Sequence, residues 1–198
     1  RLPMPLGGTS NHFRTRILQE AGGWDPYNVT EDADLGLRLY RLGYRCGVIS
    51  RPTYEEAPTQ IHAWLGQRTR WFKGWLQTWL VLMRQPSRLV REMGLWPSLV
   101  FQVLVGGLIL SSLAHPLILG YIGLIAWRLA AAEMAAVGPL DLTLFALDIA
   151  NIAGSYAVFI ALGRTGMRLE ERLAVGPRWL LTPLYWLLIS RAAWRAVR

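Results

Sequence analysis

Two clusters in the first half of the chain carry side chains that could do chemistry. Glu31, Asp32 and Asp34 follow Thr30 and fall in the first turn of a helical pattern. Carboxylates there complement the helix dipole, each worth about 0.3–1 kcal/mol. One of them facing a cleft could instead take a proton as a general base. Further along, Arg68, Arg70 and Lys73 lie within two helical turns. Such a cluster is either a solvated face or a holder for a diphosphate, to which Arg offers fixed bidentate geometry. Trp64, Trp71, Trp75 and Trp79 are spaced so that they stack on one stripe of the same helix, the pattern of a core or a membrane interface.

The elements that must position these residues are legible around them. A short helix is predicted over 13–21, with Phe13, Ile17, Leu18 and Ala21 on one stripe, capped by Ser10 or Asn11 and closed by Gly22-Gly23. Trp24-Asp25-Pro26-Tyr27 is turn chemistry, and a second helix is predicted over 31–42, with Thr30 as N-cap, Leu35, Leu39 and Leu42 inward, and Gly43 as its stop. Tyr44–Ser50 reads as a short strand. Asn28-Val29-Thr30 matches a glycosylation sequon, discounted here because its segment reads as intracellular.

Charge distribution separates two halves. The 198 residues carry a net charge of +8, with 21 Lys+Arg against 13 Asp+Glu, a balance that alone would suggest nucleic acid or an acidic membrane. Residues 93–127 contain no Lys, Arg, Asp or Glu, and about 20 apolar residues suffice to span a bilayer. This excludes a soluble nucleic-acid binder and points to a polar domain leading into a membrane domain. The single cysteine, Cys46, excludes an intramolecular disulfide and a cysteine zinc site. Segments near 95–114, 117–135, 142–162 and 179–197 are candidate spans, three or four in number, with a hairpin expected at His115-Pro116 and Arg84, Arg88 and Arg91 on the cytoplasmic flank. Trp96, Trp127 and Trp179 fall at segment ends, and Asp148 lies inside the third segment with Asn151 one turn away. Four full spans would put the arginine-rich stretch 163–178 outside, against the positive-inside rule, unless one segment is re-entrant or lies flat.

In order and spacing, these residues resemble the membrane-integrated family 2 glycosyltransferases, the group that includes cellulose, hyaluronan and β-glucan synthases. Thr30-Glu31-Asp32 is similar to that family's TED motif, and Gln67-Arg68-Thr69-Arg70-Trp71 to its QxxRW motif, with apolar spans following directly. Gly7-Gly8-Thr9-Ser10-Asn11 stands at the place of its acceptor loop, and Tyr54-Glu55-Glu56-Ala57 at that of an acidic stretch before QxxRW. The likeness is close over about residues 5–84. It implies an α/β glycosyltransferase A-type domain, its C-terminal part only, followed by an interfacial helix and an α-helical transmembrane bundle. The corresponding boundaries are 1–59, 60–92 and 93–198. The family's DxD motif is not seen, because Asp32-Ala33-Asp34 belongs to the TED segment. The donor-binding half is therefore expected to lie outside this sequence, which opens without an initiator Met, and the chain alone is expected to be inactive.

The resemblance implies inverting transfer from a nucleotide-sugar, a UDP-sugar, to a growing β-linked polysaccharide at the cytoplasmic membrane face. Asp32 is the implied base, with Glu31 orienting it. Gln67, Arg68 and Arg70 would hold the diphosphate, Trp71 would stack on the acceptor sugar, and Thr9, Ser10 and Asn11 would contact the acceptor or simply cap a helix. Mg²⁺ or Mn²⁺ is the implied cofactor, with its ligands in the N-terminal half. Expected partners are donor, saccharide acceptor and lipid bilayer, with export or regulatory subunits compatible and nucleic acid not expected. Single-sugar transfer to a lipid acceptor and a non-catalytic scaffold or export subunit are the rival readings. A pure transporter explains the spans but not the two motifs.

Overall fold

A computed structural model describes residues 2–49, 53–131 and 137–198. It divides into two compact units, residues 1–111 with 192–198, and residues 112–191. Every regular element among the described residues is helical. The strand expected over Tyr44–Ser50 does not form: residues 44–49 run without strand pairing, and Ser50 lies outside the described residues. A strand needs a neighbour to complete its ladder, and no described segment supplies one there. The α/β character implied by the family resemblance is thus not visible in this part of the chain.

In the first unit, α1 covers Thr15–Glu20, α2 Glu31–Arg41, α3 Ile61–Met83 and α4 Pro86–Met93. The first helix is shorter than expected and starts after Arg14 with no side-chain cap, so neither Ser10 nor Asn11 caps it. Its end is as expected: the Gly22 and Gly23 N–H groups return to Gln19 and Leu18, with both glycines at positive φ. Helix α2 closes the same way, with Tyr44 N–H on Leu39 O and Gly43 N–H on Tyr40 O at Gly43 φ +84°. Its inner face buries Leu35 and Leu39 with Ala21, and Phe13, Ile17, Leu18, Tyr44 and Cys46 pack around them. The Arg38 guanidinium fixes α1 to α2 by donating to Ala21 O at 2.7 Å and Gly23 O at 2.8 Å, while Asp34 holds its Nε at 2.8 Å. Asp34 therefore serves packing.

Helix α4 is clasped to α2 through Glu92, which accepts from Arg41 at 2.6 Å and Arg88 at 2.7 Å. These two hydrogen bonds, Arg88 first, hold the Glu92 carboxyl below its ordinary pKa. After Gly94 the chain enters α5, Leu95–Phe101, passes through a π-helical turn, Gln102–Gly106, and continues as α6, Gly107–Ala130. The π turn sits where Gln102 Oε1 accepts from Trp79 Nε1 at 2.8 Å and its amide donates to Met83 Sδ at 3.1 Å.

His115-Pro116 does not turn the chain: Pro116 lies inside α6, and the first two expected segments form one helical run over Leu95–Ala130. Proline removes one helical N–H bond and its ring crowds the carbonyl one turn back, yet the apolar helix continues through it. Helix α7, Pro139–Gly166, is the second helix long and apolar enough to cross a membrane. Among the described residues two helices meet that test, where three or four segments were expected. The remaining segment near 179–197 is divided between a 3₁₀ turn, Gly176–Leu181, and α9, Thr182–Val197, after the short α8, Leu169–Val175.

In the second unit, His115 is buried, meets Tyr156 Oη at 3.0 Å and faces the Trp186 ring. Tyr121 donates to Asp141 Oδ1 at 3.2 Å. Asp148 is half-buried and Asn151 exposed, with no hydrogen bond between them. Helix α7 buries none of its 28 residues, although Leu144, Leu147, Val158, Phe159 and Leu162 are all apolar and exposed. Apolar side chains uncovered on several sides of a helix suit hydrocarbon rather than water.

Candidate active site

The start of α2 is fixed from below by α3. Asn28 is buried, donates to Thr78 Oγ1 at 2.8 Å, and accepts the Thr30 N–H on its own Oδ1 at 3.0 Å. Gln77 donates to Tyr27 O at 3.1 Å. Between these bonds α3 offers Gly74, where an added Cβ would lie 2.5 Å from Thr30 Oγ1 and 2.7 Å from Thr30 N. Thr30 holds the N-cap position, yet its hydroxyl bonds to Asn28 Oδ1 at 3.3 Å instead of capping the helix. Residues Tyr27–Thr30 are thus clamped by one face of α3, and the first turn of α2 inherits a fixed position.

Asp32 and Glu31 are half-buried in that turn. Asp32 Oδ1 accepts the Ala33 N–H at 2.7 Å, while Oδ2 lies 3.3 Å from where a Cβ on Gly8 would stand. The small-residue loop therefore passes directly over the carboxylate, and glycine at position 8 permits the approach. Glu31 makes no hydrogen bond or ion pair with the described residues.

The loop is tied on both sides. Asn11 Nδ2 donates back to Gly7 O, Thr9 donates to Glu55 Oε1 at 2.5 Å, and Thr53 donates to Ser10 Oγ at 3.3 Å. Ser10 adopts φ +57°, and its carbonyl sits 3.0 Å from His12 Nδ1. Thr9 and Ser10 are thus linked to Glu55 and Thr53, while Gly8 is the loop residue that approaches Asp32. Behind them opens a cavity of about 860 Å³, which Phe13, Leu39 and Cys46 also line.

On α3 the remaining residues divide. Arg70 is exposed one turn before Gly74 and has no partner among the described residues, leaving its charge available. Gln67, half-buried, lies a further turn back towards the start of α3. The Arg68 guanidinium lies 4.1 Å over the Trp71 ring and 5.3 Å over that of Trp64, and its Nε is buried without a partner. Trp71 is exposed, while Trp75 and Trp79 are half-buried, so the tryptophan stripe does not bury as one unit. Asp32 makes no hydrogen bond or ion pair with Gln67, Arg68 or Arg70; α3 meets the start of α2 at Gly74 and Thr30, beyond the second motif. Sequence reasoning missed Asn28, Gly74 and Thr78, whose signal was a Gly and a Thr four apart on the helix that carries the arginines.

Asp32 thus lies under a small-residue loop, and α3 carries an exposed Arg70 and an exposed Trp71. Residues 1–160 match the family described as Glycosyl transferase family group 2, and the chain belongs to it. It is 34% identical over 88 residues to the Probable glycosyltransferase YdaM of Bacillus subtilis, covering 44% of this chain and 21% of that protein. It is 30% identical over 106 residues to the Beta-monoglucosyldiacylglycerol synthase of Synechocystis, covering 50% and 22%. Likeness to the Cellulose synthase 1 catalytic subunit [UDP-forming] of Komagataeibacter xylinus is 32% over 75 residues, or 37% and 10%. The chain spans about a fifth or less of the length of these relatives. No solved structure matches it.

The family implies a divalent metal. Among the described residues no group of three or more His, Cys, Asp or Glu side chains could hold one. Asp32 and Glu31 alone do not make such a site.

Proposed function

We propose that this chain supplies the acceptor side of an inverting transferase that moves a sugar from a UDP-sugar onto a growing β-linked polysaccharide. The observation that carries this reading is the clamp of α3 on Thr30, with Asp32 beneath the Gly7–Asn11 loop. Asp32 takes the proton from the acceptor hydroxyl as that oxygen attacks the anomeric carbon. Arg70, with Gln67, meets the charge developing on the departing diphosphate. Trp71 stacks on the apolar C–H face of the acceptor ring. Arg68 holds that indole from its other side and adds positive charge near the diphosphate. Thr9, Ser10 and Asn11 offer hydroxyl and amide groups to the acceptor.

The reading places the chain in the cytoplasmic membrane with α5–α6 and α7 crossing it. Two crossings return the arginines of 164–178 to the side of Arg84, Arg88 and Arg91, which removes the conflict with the positive-inside rule. Likeness to a Beta-monoglucosyldiacylglycerol synthase over half of the chain favours a second reading, single-sugar transfer to a lipid acceptor. The test is UDP release by the detergent-solubilised full-length protein with a panel of UDP-sugars and Mg²⁺, beside Asp32→Asn, followed by product sizing. Release with one donor, lost in the variant, supports the transferase. A polymer product selects the first reading and a single glycolipid the second. Undiminished release by Asp32→Asn removes Asp32 from the base role.

A further inference from the structure

The end of α7, α8 and the 3₁₀ turn line a half-open cavity of about 430 Å³ within the second unit. Its walls are apolar and aromatic, with Phe159, Val175 and Tyr185 among them, and Arg164, Arg172 and Arg178 join the lining. No carboxylate lines it. Glu171 is turned to the Arg168 backbone N–H at 2.7 Å instead. Arg172 and Arg178 donate only to the carbonyls of Met167 and Ala174, and Arg164 has no partner among the described residues. Three guanidinium charges without a counter-ion therefore share one cavity with an apolar wall. It sits at the end of a helix whose own apolar surface is uncovered. Trp179 lines the same cavity, and an indole of this kind suits the depth of lipid headgroups.

The geometry points to a binding site for one anionic phospholipid. Its phosphate pairs with Arg164, Arg172 and Arg178, and an acyl chain lies along the Phe159, Val175 and Tyr185 wall. Guanidinium groups pair with phosphate oxygens through parallel N–H bonds, and the desolvation of the acyl chain adds a term that free phosphate lacks. The site rests on the reading that α7 lies in a bilayer. It involves no donor sugar, and it stands or falls apart from the transfer reaction.

The experiment uses the full-length protein in nanodiscs of phosphatidylcholine, to which dibrominated phosphatidylglycerol or dibrominated phosphatidylcholine is added. Trp179 emission is taken as the difference between wild type and Trp179→Phe. The expected result is stronger quenching by the brominated phosphatidylglycerol. The triple variant Arg164→Ala, Arg172→Ala, Arg178→Ala should need about tenfold or more of that lipid for the same quenching. A charge-matched control, Arg14→Ala, Arg16→Ala, Arg45→Ala, should behave as wild type. Native mass spectrometry of the wild-type protein gives a second readout that does not depend on the folding of any variant: phosphatidylglycerol should stay bound where phosphatidylcholine does not. Millimolar inorganic phosphate that displaces the lipid fully would show a free-anion site and overturn the proposal. Equal quenching by the two lipids, or an unchanged triple variant, would overturn it while leaving the membrane reading intact. No quenching by either would sink both.

Discussion

A Cβ placed on Gly74 would lie 2.5 Å from the Thr30 hydroxyl, so α3 reaches the first turn of α2 only because position 74 has no side chain. Through that contact the segment bearing Glu31 and Asp32 and the helix bearing Gln67, Arg68, Arg70 and Trp71 share one rigid reference point. Gly74→Ala should push them apart, since the obstructing atoms include the Thr30 backbone. Overpacking of this kind costs about 1–3 kcal/mol. A lower Tm together with a fall in UDP release from the full-length protein is expected, and unchanged values for both would show that the contact does not couple the motifs.

Asp32→Asn should lower transfer by about 10²–10⁴-fold, the usual contribution of a general base, while donor affinity stays near wild type. Arg70→Ala should weaken both donor binding and turnover, through lost charge-assisted bonds of about 1.5–3 kcal/mol. Titration calorimetry with UDP on the full-length protein separates the two. Unaltered UDP affinity in Arg70→Ala would remove the diphosphate assignment.

Arg68 is expected to behave differently from Arg70. Its guanidinium is stacked on Trp71 at 4.1 Å, and cation–π pairs of this kind contribute about 0.5–2 kcal/mol. Arg68→Gln should therefore raise the acceptor KM more than the donor KM, with Arg68→Lys in between. A larger effect on the donor would mean that Arg68 serves mainly the diphosphate.

The clasp of α4 on α2 sets a pH limit. Hydrogen bonds from Arg88 and Arg41 lower the Glu92 pKa, so its contribution to stability is complete above the ordinary carboxylate value of about 4.3. As pH falls through the depressed folded value, that contribution is lost. Urea unfolding of the full-length protein between pH 7 and pH 3 should show an acid limb that is reduced in Glu92→Gln. An identical limb in the variant would assign it to other carboxylates.

Much of this was legible in the sequence, because local rules dominate it. Helix α2 begins at Glu31 as its acidic first turn predicts and stops at Gly43, where positive φ is needed to close the last turn. The order of Thr30-Glu31-Asp32, Gln67–Trp71 and the apolar run identified the family, and the family match extends over residues 1–160. Residues whose bonding is completed by distant parts of the chain were less legible. Ser10 and Asn11 are suited to helix capping, but they bond to Thr53 and Gly7 instead. Tyr44–Ile49 has strand composition with no described segment to pair with. Proline at position 116 reads as a hairpin by local rule, yet the apolar helix continues through it.

The sequence by itself determined the helices, their glycine stops, the apolar runs and the residue types available for transfer chemistry, since each follows from interactions within a few residues. Only the tertiary structure decided that Asn28 bonds to Thr78, that Gly74 meets Thr30, and that Gly8 lets its loop cover Asp32. Those outcomes depend on which side chains meet across tens of residues of chain. Spacing along a sequence carries no information about such meetings until packing fixes them.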